Sequence, residues 1–65
     1  METKATIMID DDRWAKRPYG IKFSNSDCEE KFGYNGFKTE SECYQRIENA
    51  KAAGYIVTEI DRYFY

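Results

Sequence analysis

The chain contains no leucine. Its branched aliphatic side chains are six Ile and one Val, whereas Tyr, Phe and Trp together supply eleven of the 65 residues. Aromatic rings must therefore build much of any core. Four Phe and one Trp suit that task, but six Tyr exceed what a domain of this size can bury with every hydroxyl paired, so several rings are expected outside. Exposed Tyr and Trp offer stiff contact area at low entropic cost and are enriched where proteins bind one another. The plain alternative is a ring lying flat over a small core with its hydroxyl in water.

Residues 1–65 read as a single domain, because no linker, repeat or low-complexity tract divides them. Ala5, Ile7 and Ile9 alternate with polar neighbours as a first strand over 3–10, and Tyr19, Ile21 and Phe23 do the same as a second. Asn25-Ser26-Asp27 is turn chemistry, a short third strand is possible through Glu30, Phe32 and Tyr34, and Asn35-Gly36 supplies the next turn. Thr39 with Glu42 three residues later matches a capping box, and Cys43, Ile47, Ala50 and Gly54 then form a narrow stripe on one helix face. Glu42 with Arg46 and Glu48 with Lys51 are helix-compatible ion pairs, and Gly54 fits the left-handed position that ends helices. From Tyr55 the period returns to two. Ile56, Thr58, Ile60 and Phe64 fall on one face, with Tyr55, Val57, Glu59, Asp61, Tyr63 and Tyr65 on the other.

This order predicts an α+β fold, a three- or four-stranded sheet with one helix packed on one face (strand, strand, an optional short strand, helix, strand). Such a layer buries Ile7, Ile9, Ile21, Phe23, Phe32, Ile47, Ile56 and Ile60 together and leaves the other sheet face in water.

The catalytic toolkit is thin. There is no His to act as general base or to activate a cysteine, and the four glycines are dispersed rather than gathered in a phosphate loop. The chain is read as a non-enzyme without cofactor. Cys28 and Cys43 are too few for zinc and are expected to be free thiols. Asp10, Asp11 and Asp12 lack the alternating spacing of a calcium loop and read as a solvated strand end or an acidic knob. With ten Lys and Arg against twelve Asp and Glu the net charge is −2, which disfavours non-specific DNA binding. No membrane span or signal peptide is visible in the sequence, so a soluble protein of the cytoplasm, in a bacterial host, is the expectation.

Two segments stand out as candidate contact surfaces. Between Arg13 and Tyr19 three cations mix with two aromatic rings, a composition suited to stacking, cation-π capture or an interface anchor. On the last strand Glu59 and Asp61 alternate with Tyr63 and Tyr65. At a sheet edge these charges guard against aggregation; in a central strand they form a tyrosine and carboxylate patch.

The run from Phe37 through Lys-Thr-Glu-Ser-Glu to Cys43, followed by Ala53-Gly54-Tyr55-Ile56-Val57-Thr58-Glu59-Ile60, resembles the helix-to-last-strand half of the small podophage-encoded inhibitors of bacterial RNA polymerase. The resemblance covers residues 37–60. It implies an inhibitor that grips a mobile polymerase domain through a charged last strand and an acidic residue before the helix. Here Glu59, Asp61 and Arg62 give that strand an acidic balance where the family's is basic.

The reading is a small phage-type protein that binds a host protein and inhibits it by occupying a functional surface, as a monomer or weak homodimer. The host protein would be RNA polymerase or a nucleic-acid-processing defence enzyme. Partner contacts are expected from Tyr55, Glu59, Asp61, Tyr63 and Tyr65, with Asp11, Asp12 and Trp14 next. The alternatives are a single-stranded nucleic-acid module using Trp14, Lys16, Arg17 and Tyr19, and a self-associating structural protein that pairs through its last strand.

Overall fold

A computed structural model describes all 65 residues as β1 (Glu2–Ile9), β2 (Tyr19–Phe23), α1 (Ser26–Phe32), β3 (Tyr34–Phe37), α2 (Glu40–Ala52) and β4 (Ile56–Phe64). The strands form one mixed sheet in the order β3-β2-β1-β4. β1 pairs antiparallel with β2 and parallel with β4, and β2 pairs antiparallel with β3. The α+β class, the four strands and the helix-covered sheet match the sequence reading, with a second, short helix added. No helix is long and apolar enough to cross a membrane.

That extra helix corrects the reading of residues 25–32. Asn25 does not make a free-standing turn; its Oδ1 accepts the backbone N–H groups of Asp27 (3.0 Å) and Cys28 (3.1 Å), capping α1. The Asx chemistry that makes a turn also satisfies the bare amides at a helix start. Cys28 is buried one helical turn before the half-buried Phe32, a spacing of four that marks a helix face, and Glu30 is exposed. Glu29 reaches back from α1 to accept the N–H of Phe23 at 2.7 Å. β3 accordingly starts only at Tyr34 and holds Asn35 and Gly36 within it. Gly36 has φ +123° and is the extra residue where the β2–β3 register shifts, so the Asn-Gly pair marks a bulge rather than a turn.

α2 forms as expected. Glu42 closes the capping box, its Oε2 accepting from the backbone of Thr39 (3.2 Å) and Lys38 (3.0 Å). Cys43, Ile47 and Ala50 are buried along its inner face, and Gly54 follows the helix with φ +101°. Glu48 and Lys51 pair at 3.5 Å. The expected Glu42–Arg46 pair does not form, because Glu42 is occupied at the cap and Arg46 lies over the rings of Tyr34 (5.5 Å) and Phe37 (5.6 Å).

The core consists of Ala5, Ile7, Ile9, Ile21, Phe23, Cys28, Cys43, Ile47, Ala50 and Tyr55, with Tyr19, Phe32, Phe37 and Val57 packed against it. Ile56 and Ile60 do not join it, contrary to expectation. Thr3 faces Val57 whereas Lys4 faces Glu59, which leaves Thr58 as an unpaired extra residue whose hydroxyl donates to the Thr3 carbonyl (3.4 Å). The bulge exchanges the faces of Ile56 and Val57 relative to simple alternation, so Val57 turns inward and Ile56 is 59% exposed. Ile60 shares the helix-side face with Ala5 but lies at the sheet edge, beyond full cover.

Ile47→Ala is expected to cost about 2–5 kcal/mol, as truncation of a fully buried Ile leaves a cavity, and Asn25→Ala about 0.5–2 kcal/mol through loss of the cap. Urea unfolding measures both; an Asn25→Ala protein as stable as the parent would contradict the role given to α1's cap.

Candidate protein-binding surface

Both helices lie on one side of the sheet, where Ala5, Ile7, Ile9, Ile21 and Phe23 are buried. The opposite face is assembled from alternate residues: Lys4, Thr6 and Met8 of β1, Gly20 and Lys22 of β2, Asn35 of β3, and Glu59, Asp61, Tyr63 and, just beyond β4, Tyr65. Register places Met8 between Gly20 and Tyr63. Tyr63 and Tyr65 stack with centroids 6.4 Å apart and planes 15° from parallel. They are 54% and 51% exposed.

Beside them is a depression of about 360 Å³ lined by Met8, Lys22, Tyr34, Asn35 and Tyr65 among others. Gly20 lies between Met8 and Asn35 in the sheet register. A Cβ there would lie 2.7 Å from Asn35 Oδ1 and 3.1 Å from the Asn35 Cα, so a side chain would push the Asn35 amide aside and press on the β3 backbone. Charge on this face is partly compensated, Lys4 Nζ lying 3.3 Å from Glu59, whereas Asp61 enters no ion pair.

The acidic loop is brought to the same end of the sheet. Asp11 N–H donates to the Tyr65 carbonyl (2.9 Å) and Tyr65 N–H to that of Ile9 (3.0 Å), extending the parallel ladder past β4. Asp10 and Asp12 accept the N–H groups of Asp12 (3.0 Å) and Trp14 (2.9 Å), shaping the loop by successive Asx turns. Asp11 and Asp12 are exposed, and Trp14 is 78% exposed with the Arg13 guanidinium 5.2 Å from its ring. Nowhere do three or more His, Cys, Asp or Glu side chains gather in a way that could hold a metal ion.

Glu59, Asp61, Tyr63 and Tyr65 thus share one open face, as alternation predicted, and the Asp11–Tyr65 backbone bond brings Asp11 to its end. β4 is an edge strand, the case in which the sequence reading has its charges guard against aggregation. Tyr55 does not belong there. It precedes β4, is only 6% exposed, packs edge-on against Phe32 (6.1 Å) and donates its hydroxyl to Asp27 (2.5 Å). It is a structural tie between α1 and the entry to β4, made where the helix ends and strand alternation has not begun. The Arg13–Tyr19 cluster is also divided: Tyr19 is half-buried against the core, and Arg17 donates to the Gly36 carbonyl (3.3 Å). Sequence reasoning missed Met8, Tyr34 and the depression that they help to line, since only the assembled sheet juxtaposes them.

The Tyr55 hydroxyl, followed by Lys31, holds the Asp27 carboxyl below the usual range. Asp27 in turn raises the Tyr55 phenol and the Lys31 ammonium. Burial pushes both thiols up, Cys43 to about 11, and both are free and out of solvent.

A scan against family models found no match for this chain, and no curated protein or solved structure matches it.

Because the Asp27 value is lowered on folding, its contribution to stability is present above the ordinary value of 3.8 and is lost as pH falls through the depressed one. Tyr55→Phe removes the main cause of that depression. Thermal unfolding across the acid range should show a lower Tm for the variant at neutral pH and a shallower decline on acidification; an unchanged acid slope would contradict the tie.

Proposed function

We propose that the protein works by binding another protein and blocking it, as a small phage-type inhibitor of a host enzyme. The observation that carries this reading is the placement of the tyrosines: four of six, Tyr34, Tyr44, Tyr63 and Tyr65, are about half exposed. Two of them stack on a flat sheet face beside the unpaired carboxylate of Asp61 and the half-buried Met8. Exposed aromatic rings with Met in reach and an acidic margin are the composition of an interface core with its rim. The net charge of −2 favours a basic target surface, and complementary charge would mainly speed and orient the encounter. Host RNA polymerase, suggested by the resemblance over residues 37–60, and nucleic-acid-processing defence enzymes both offer such grooves.

The bare Trp14 ring, with Arg13 over it and Lys16 nearby in sequence, favours a second reading as a single-stranded nucleic-acid module. Binding of labelled oligonucleotides at two salt concentrations separates the two, since a phosphate-driven contact weakens steeply as salt rises.

The double variant Tyr63→Ala/Asp61→Ala is expected to fold normally by circular dichroism, because neither side chain enters the core. It should lose a stoichiometric bacterial partner that the parent and a Lys51→Ala control both retain in quantitative pulldowns. Absence of any such partner for the parent across several hosts, or equal capture by the double variant, would count against the reading.

A further inference from the structure

We infer that β4 pairs edge to edge, antiparallel, with the β4 of a second copy of this chain, making a continuous eight-stranded sheet about a twofold axis at Arg62. The two edges of the sheet are built differently. β3 is four residues long and broken by the Gly36 bulge, the usual ways of making an edge unfit for pairing. β4 is nine residues long, its one bulge lies near its start at Thr58, and from Glu59 to Tyr65 it holds neither Pro nor Lys. Arg62 does not guard the edge, because Glu40 of α2 draws its guanidinium back over the helix side at 3.0 Å.

The direction of the backbone fixes which residues can pair. Tyr65 turns both its N–H and its carbonyl toward β1, to Ile9 and Asp11. Alternation back along the strand sends the polar groups of Phe64, Arg62 and Ile60 outward, where β4 has no neighbour. A twofold pairing must therefore match these three residues among themselves, and side-chain charge chooses between the registers. Placing Ile60 on the axis would set Glu59 against Asp61, and placing the axis at Asp61 would set that carboxylate against its own copy. With Arg62 on the axis, Ile60 faces Phe64, Asp61 faces Tyr63, and Glu59 faces Tyr65. Every carboxylate then meets a phenol able to donate to it, and the apolar pair covers side chains that the monomer leaves 42% and 55% exposed. The two Arg62 side chains that meet on the axis each keep Glu40 as counter-ion. Moving the axis to Tyr63 also avoids the clashes but gives a shorter ladder. The tyrosines and carboxylates remain on the open face, so the dimer doubles that surface.

Sedimentation equilibrium on the full chain tests this. The average mass should rise with concentration from 7.7 kDa toward twice that value, with the weak affinity of a one-strand interface. Phe64→Pro removes an outward N–H that no bond within the chain uses, and Ile60→Lys adds an edge charge. Both variants should retain the parent's circular dichroism and stay at monomer mass. The register is read by cross-linking. Arg62→Cys places two thiols on the axis with Cα atoms about 5.5 Å apart, within disulfide reach, and should form a covalent dimer under mild oxidation. Glu59→Cys, whose copies would be roughly 20 Å apart, should not. A parent that is monomeric at every concentration, a dimer that survives both edge variants, or cross-linking through position 59 rather than 62 would overturn the proposal.

Discussion

Strand β1 holds the molecule together because it is the longer of the two inner strands, bonded antiparallel to β2 along one edge and parallel to β4 along the other. Its inward residues Thr3, Ala5, Ile7 and Ile9 are all buried, and its outward ones are not. A one-residue slip would turn Ile7 and Ile9 into water, so the register of the sheet is set by this alternation. α1 and α2 both settle on that apolar side, with Cys28, Cys43, Ile47 and Ala50 supplying small or slim side chains that let the layers approach. The core that results has room for one buried tyrosine, and Tyr55 takes it with Asp27 accepting its hydroxyl. Tyr19 packs half-buried against this core, and the remaining four tyrosines stay outside it, where water can pair their hydroxyls.

Exclusion from the core does not scatter the rings at random. Parallel pairing of β4 with β1 carries Tyr63 and Tyr65 to the far end of the open face, where the Tyr65 carbonyl also receives Asp11 and so anchors the acidic loop. A hollow lined by Met8, Lys22, Tyr34 and Asn35 lies next to Tyr65. Stacked rings, a hollow, an unpaired carboxylate and an exposed indole nearby in the loop all follow from one-sided helix cover. The outer rim of β4 is open because β4 ends the strand order.

Much of this could be read before the structure was known. β1, β2, α2 and most of β4 carry strong periodicities, and the Thr39–Glu42 box and Gly54 mark the ends of α2. The failures have particular causes. Asn25 serves equally as turn former and helix cap, and only the burial of Cys28 decides between them. Thr58 looks like one more alternating residue, yet as a bulge it exchanges the faces of Ile56 and Val57. Tyr55 continues the alternation on paper but lies before the first strand pairing. Asn35-Gly36 reads as a turn because a bulge makes the same demand for a positive φ. The hollow beside Tyr65 was not legible at all, being a property of the assembled sheet rather than of any local run.

The central claim is that the rings on the open face exist to be covered by another macromolecule. Hydroxyl-radical footprinting of the six tyrosines, with the protein alone and in complex with a captured partner, tests it directly. The account expects Tyr63 and Tyr65 to be labelled in the free protein and protected in the complex, with Tyr55 unreactive in both. Undiminished labelling of Tyr63 and Tyr65 in the complex would contradict it.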